Sequence, residues 1–133
     1  VSVLPDLQTL LTDRGVGPVT LGRRPASPDT ILTLQTYQGD PNRLYAETGV
    51  PADERLAVQV VARARNQAEA EQLAARAFDA LQFHARVING RRYRHSRANQ
   101  HPAYIGIDEN DRALVSFNLT LRRYRTAGLD KEQ

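Results

Sequence analysis

The chain has no cysteine, no methionine and no tryptophan. Without cysteine, disulfides, thiol catalysis and thiolate metal sites are excluded. The redox compartment stays open, because a chain without thiols is indifferent to it. Lysine is almost missing as well: of the 18 basic residues only Lys131 is lysine. No apolar run approaches the ~20 residues that span a bilayer as a helix. The opening residues lack the basic-then-apolar pattern of a secretion signal, so nothing in the sequence directs the chain to export or into a membrane.

What is present fits one domain, residues 1–133, around one core: 133 residues, 41% hydrophobic and 25% charged. The formal net charge is only +3, which implies no large positive field. Arginine carries nearly all the positive charge. Its guanidinium stays ionised and makes planar, bidentate hydrogen bonds. Such groups suit ion pairs at protein interfaces as well as they suit phosphate, and a GC-rich coding sequence would give the same bias with no physical meaning.

Periodicity divides the chain into elements. Ser2 to Asp13 is a helix, with Val3, Leu7, Leu10 and Leu11 on one face and Pro5 in a first turn that needs no N–H there. Gly15, Gly17 and Pro18 end it. Val19 to Leu21 is a short strand, and "GRRPASPD" breaks regular structure before the β-branched strand Asp29 to Tyr37. Residues 38–54, "QGDPNRLYAETGVPADE", have neither period and form a loop long enough to be functional or partner-ordered. Leu56 to Arg65 is a strand with Leu56, Val58 and Val60 on one side and Gln59 and Arg63 on the other. Asn66 to His84 is the long helix, started by Asn66 and Glu69 in a capping-box arrangement, with a buried stripe of Ala70, Ala74, Ala77, Phe78, Leu81 and Ala85. Val87-Ile88 followed by Asn89-Gly90 signals a hairpin whose return strand is Arg91 to Arg97. Ala103 to Ile107 is a strand, Asp108 to Asp111 a turn, and Arg112 to Arg125 a final strand with Val115, Phe117, Leu119 and Leu121 on its apolar side. Residues 126–133 are a frayed tail. The order is α-β-β-β-α-β-β-β-β. The fold class is α+β: a twisted, mostly antiparallel sheet with both helices on one face and a polar face left open.

Chemistry is hard to find in this pattern. His84, His95 and His101 have no metal-ligand spacing. Ser96 beside His95 points to the opposite face of a strand and lacks a nucleophile elbow. Asp108, Glu109 and Asp111 do not match a calcium loop. No set of nucleophile, base and orienting group assembles in the sequence. The arginine segment is the stronger candidate: Arg86, Arg91, Arg92, Arg94 and Arg97, with Tyr93 and His95 interleaved, is a composition a single-strand groove uses. Strict alternation would split it, with Arg92 and Arg94 on one face and Tyr93, His95 and Arg97 on the other. A nucleic-acid-binding module built on residues 86–97 therefore remains the alternative reading.

The stretch "QHPAYIGIDENDRALVSFNLTLRR", Gln100 to Arg123, resembles the C-terminal signature of the minor capsid or tail-terminator proteins of long-tailed bacteriophages, also called head–tail joining or tail completion proteins. Pro102, Gly106, Asp108, Glu109, Arg112, Phe117 and Asn118 carry the resemblance, and the strand and helix of "LAVQVVARARNQAEAEQLAARAFDAL" extend it upstream. Ile107 departs from it, at a position often polar in that family. The resemblance implies a non-enzymatic virion protein that needs no cofactor, is assembled in the host cytoplasm and forms a hexameric ring at the neck. Its partners would be further copies of itself, the tail tube protein and the head connector, with genomic DNA passing through the lumen; no membrane is involved. Rings need heterologous contacts, and aromatic and arginine side chains dominate interface energies. The candidate interface residues are therefore Tyr37, Asp40, Arg43, Tyr45 and Glu47 in and beside the loop, Arg91, Arg92, Arg94 and Arg97 on the basic strand, and Asp108, Glu109 and Asp111 in the acidic turn.

Overall fold

The first helix forms where the apolar spacing puts it. α1 covers Leu4–Asp13, has Pro5 in its first turn and buries Leu7, Leu10 and Leu11. The structure, a computed structural model, describes residues 3–37 and 53–124. The chain continues through β1 (Val19–Leu21), β2 (Ile31–Thr36), β3 (Asp53–Ala64), α2 (Gln67–Ala80), β4 (Phe83–Ile88), β5 (Arg91–Ala98), β6 (Ala103–Ile107) and β7 (Ala113–Tyr124). The element order is the expected one. Most of the expected 38–54 loop and the whole 126–133 tail lie outside the described residues.

The strands form one sheet in the order β1-β2-β3-β7-β5-β4, with β6 also on β7. Only β1–β2 is parallel; the other pairs are antiparallel. β3 and β7 pair over their whole length, from Asp53↔Tyr124 to Ala64↔Ala113. On its other side β7 holds β6 with its first half and β5 with its second. One row of paired residues crosses five strands: Val19, Leu32, Ala62, Val115 and Tyr104.

Alternation decides the two faces. Leu32, Leu34, Val58, Val60, Val115, Phe117, Leu119 and Leu121 point to the helices and share one core with both of them. Full burial of each larger side chain stabilises the fold by roughly 1.5–3 kcal/mol. Ala70, Ala74 and Ala77 let α2 lie close to β3 and β7, while Leu73 and Ala80 complete its buried stripe. The Asn66 side chain caps α2 by accepting from the Glu69 N–H at 2.9 Å. The open face carries a polar ladder instead: Gln35 Nε2 donates to Gln59 Oε1 at 3.2 Å, and Thr20 and Thr33 hydroxyls meet at 3.2 Å.

Three expectations need correction. α2 ends at Ala80, not near His84, and Phe83–Ile88 is a strand. The Asn89-Gly90 turn pairs the two arms residue by residue, so the eight-residue β5 templates β4 back to Phe83↔Ser96. Tertiary pairing thus overrides the helix propensity of Leu81 to Ala85, and Ala85 is an exposed strand residue with φ 47° rather than a core alanine. β3 begins at Asp53, three residues earlier than its apolar alternation, because Arg123 on β7 holds Glu54 by an ion pair of 2.9 Å. Finally, β5 does not alternate strictly, as described below.

A buried carboxylate ties α1 to the β4–β5 hairpin. Asp6 is fully buried and accepts from Asn89 Nδ2 at 2.9 Å, from Arg91 Nη1 at 2.9 Å and from the Tyr93 hydroxyl. Burial and the Asp6 carboxylate both push the Tyr93 phenol well above its ordinary range, so it remains a donor. Removing the acceptor would strand three donors, two of them on the hairpin turn and its first residue. Asp6→Ala is expected to lower stability by about 3 kcal/mol, at the low end for a broken buried pair because Arg91 keeps some solvent contact. Urea unfolding with an unchanged m-value measures this; a loss under ~1 kcal/mol would show that the network holds nothing together.

Candidate assembly surfaces

The arginine segment is shaped by a bulge. β5 shifts register against β7 between Tyr93 and His95, so Tyr93 pairs with Arg123 while His95 pairs with Arg122. Tyr93 and Ser96 both point into the helix layer, where the Ser96 hydroxyl donates to Leu81 O at 2.6 Å. His95 and Arg97 are therefore turned to the open face together with Arg122 and Thr120, their partners on β7. Strict alternation would keep His95 and Arg97 on the face of Tyr93, and the bulge turns both of them to the opposite face. Arg92 is exposed and lies over the Tyr124 ring at 4.8 Å, and Arg94 is exposed at the bulge itself. Arg91 is turned the other way and is held by Asp6. Of the four basic candidates, then, one is structural and three stand on the surface.

His95 feels this gathering of charge. Burial, then Arg97, Arg122, His84 and Arg94, lower its pKa below the ordinary histidine value. His84 faces it across the hairpin with ring centroids 6.4 Å apart. His101 is elsewhere, stacked on Phe78 at 5.3 Å.

The acidic turn is also divided. Asp108 Oδ1 accepts from the N–H groups of Asn110 and Arg112, both at 2.9 Å, and Oδ2 accepts from Arg112 Nε at 2.9 Å. Burial alone would raise the Asp108 pKa, but these backbone and guanidinium donors outweigh it and hold the carboxyl below its ordinary value. Asp108 thus builds the turn, while Glu109 and Asp111 are exposed. Arg112 continues to Ala26 O at 2.6 Å, and Arg63 donates to Pro28 O at 2.6 Å and Asp29 O at 3.1 Å. These two buried arginines strap the β1–β2 connection over the open face. Beneath it is a cavity of about 410 Å³ lined by Arg24, Gln35, Arg63 and Arg112 among others. Burial and Arg112 lower the Arg63 pKa. In this cavity Arg63 is committed to main-chain carbonyls and Arg112 to a carbonyl and to carboxylates, and no histidine, serine or tyrosine is among the lining residues.

Tyr37 lies just beyond β2, 41% exposed, its N–H donating to Ala57 O at 3.1 Å. Asp40, Arg43, Tyr45 and Glu47 lie outside the described residues. One surface escaped the sequence reading: Tyr104, Ile105 and Ile107 on β6 are 44%, 56% and 57% exposed. The sequence shows that "AYIGI" carries no charge, but only the sheet order places this strand at an edge. Among the described residues no group of three or more His, Asp or Glu is placed to hold a metal ion. No helix among them is long and apolar enough to cross a membrane.

The fold and these surfaces define a small α+β module whose polar groups serve loops, edges and faces. Its family follows from comparison: the model of the bacteriophage tail terminator protein family matches residues 10–125, and the chain belongs to that family. It is a structural virion protein. Among solved structures, a chain of the "Virion of native gene transfer agent (GTA) particle" has a similar fold, with a TM-score of 0.56, 19% identity and coverage of 90% of this chain and 84% of that one. No curated protein sequence matches significantly. Within the stretch that carried the resemblance, Asp108 and Arg112 build the turn, Gly106 takes φ 122° in the irregular part of β6, and Phe117 sits fully buried in the core.

The lowered His95 pKa has a measurable consequence. Between the folded value and the unfolded value near 6.5, the unfolded chain binds more protons, so stability falls as pH falls through that window. His95→Gln is expected to flatten the decline below pH 6.5 in urea titrations. An unchanged slope would mean that neither burial nor the surrounding arginines shift this ring.

Proposed function

We propose that this chain closes into a hexameric ring at the neck of the particle, caps the finished tail tube and docks onto the head connector. Family membership carries the reading. The surfaces support it: an open polar face, exposed arginines on β5 and its bulge, exposed acids at 109 and 111, and an apolar edge strand. Ring closure needs two different patches on each subunit, and side-to-side ion pairs with strand-edge contacts provide them. The segment 38–54, with Tyr37 and Tyr45 as aromatic anchors, reaches an axial partner. Assembly takes place in the host cytoplasm from the tail tube upward, and the chain acts by binding, without catalysis.

Deleting residues 41–50 is expected to leave the circular dichroism spectrum and melting temperature near those of the parent and to abolish joining of heads to tails. Electron microscopy of particles assembled with the deleted chain reads this out. Normally joined particles would remove the axial role of the segment.

One observation favours a second reading. The bulge gathers Arg97 and His95 beside Arg122 on one face, which a phosphate backbone could follow. If the chain is a nucleic-acid-binding module, binding to single-stranded DNA should weaken steeply with salt. The double variant Arg92→Ala, Arg97→Ala should then reduce the slope of log K against log salt by about 1.4, or ~0.7 per released counterion. Binding that is weak and insensitive to both changes would leave only the assembly reading.

A further inference from the structure

Three sheet edges are open among the described residues, and two of them are blunted. β1 is three residues long, and its Val19 carbonyl accepts from Gln8 Nε2 at 3.4 Å. β4 carries His84 and Arg86, and Ala85 at φ 47° breaks its regularity. Charges, short length and irregularity are the usual defences of an edge. β6 has no charged residue, and it shows three large apolar side chains to solvent: Tyr104, Ile105 and Ile107. An apolar edge of this kind marks an interaction site.

We propose that β6 is the male half of the subunit contact, and that its occupant is the α1–β1 edge of a second copy of this chain. The inference rests on the ring reading above. Three observations point to that occupant. First, Tyr104 and Val19 stand at opposite ends of the same cross-strand row, Val19–Leu32–Ala62–Val115–Tyr104. Both share the helix side of the sheet, since Val115 and Leu32 between them face the helices. A neighbour placed head to tail therefore brings Tyr104 to the level of Val19 with no shift along the strands. Second, a depression of about 290 Å³ lies there, lined by Thr12, Val16, Pro18 and Val19 with Gly15 and Gly17. It is shallow, largely apolar and able to take an aromatic or isoleucine side chain. Third, the charges match. Glu109 and Asp111 are exposed beside the end of β6. At the receiving edge Arg14 and Arg76 are exposed beside Asp13, with Arg76 already donating to Gly15 O at 2.8 Å. Two different patches on opposite sides of one subunit make a heterologous contact, which is the kind that closes a ring.

The absence of cysteine makes the test clean. Thr12→Cys and Ile107→Cys place one thiol in each patch. Four strand spacings of ~4.8 Å separate the two edges, about 19 Å, so a bismaleimide of roughly 8 Å reach cannot link them within one subunit. The double variant, added to purified tails lacking their terminator, is expected to give a covalent ladder that ends at the ring's copy number. Each single variant should give none. Rings on the tails without a ladder would overturn this contact and leave the ring reading standing. A dimer from Ile107→Cys alone would overturn it in favour of a two-fold contact between β6 strands, and cross-links confined to the tube subunit would overturn it in favour of that partner. No rings on the tails, by electron microscopy, would overturn both readings. As a second arm, Ile107→Lys should keep the parent melting temperature and lose ring formation at least tenfold in required concentration; undiminished rings would count against β6.

Discussion

The antiparallel pairing of β3 with β7 is the constraint on which the molecule hangs. Twelve residues of each strand run in continuous register. Their helix-side residues, Val58 and Val60 with Phe117, Leu119 and Leu121, are the floor on which α2 lies. Everything else is placed by what remains of the two strands. β3 still has one free edge, taken by β2 and then β1. β7 is long enough to hold two strands in tandem, β6 on its first half and β5 on its second. That division creates an edge in the lateral position of β6 that a shorter β7 would not have. It also sets the acidic turn beside the apolar edge, because residues 108–112 are the link between β6 and β7.

Much of this was readable because the sequence repeats one physical signal. Alternation in Val115–Leu121 and Leu56–Val60 is strong, and the helix spacing in α1 leaves little choice. The Asn89-Gly90 pair announced the hairpin, and both residues take the positive φ that such a turn demands, 52° and 79°. What was not readable depended on partners distant in the chain. The end of α2 is decided by β5 pairing back to Phe83, not by the residues from Leu81 to Ala85. The start of β3 is decided by Arg123 reaching Glu54 across the sheet. The bulge between Tyr93 and His95 follows from Tyr93 having to reach Asp6 on α1 while Ser96 reaches Leu81 O. None of these can be seen in a window of local sequence.

The candidate surfaces were legible to a similar degree and for related reasons. The basic segment and the acidic turn stand out by composition, but composition does not separate a side chain that builds the protein from one that is offered outward. Arg91 and Arg112 are consumed by Asp6 and Asp108, whereas Arg97, Glu109 and Asp111 are on the surface. The apolar edge of β6 went unnoticed because Tyr104, Ile105 and Ile107 look like an ordinary buried strand until the sheet order shows that nothing described covers them.

This division also gives the arginine bias a physical sense. Arg63, Arg112 and Arg123 are nearly buried, and Arg91 reaches a buried carboxylate. Two of these guanidiniums bind more than one group at once: Arg63 two main-chain carbonyls, Arg112 a carboxylate, a second acid and a carbonyl. A lysine ammonium has no planar fork to hold such pairs and is more strongly hydrated, so burying it here would leave acceptors unmet. The straps fix the β1–β2 connection and the 108–112 turn onto one end of the sheet, and that end is where Val19 and Tyr104 terminate their shared row. Rigid edges at a common level are what a subunit needs if the same contact is to recur around a closed assembly. A contact that could slide along the strands would close at several diameters or not at all. In the proposed ring, arginine inside the subunit would therefore set geometry between subunits without itself crossing the contact.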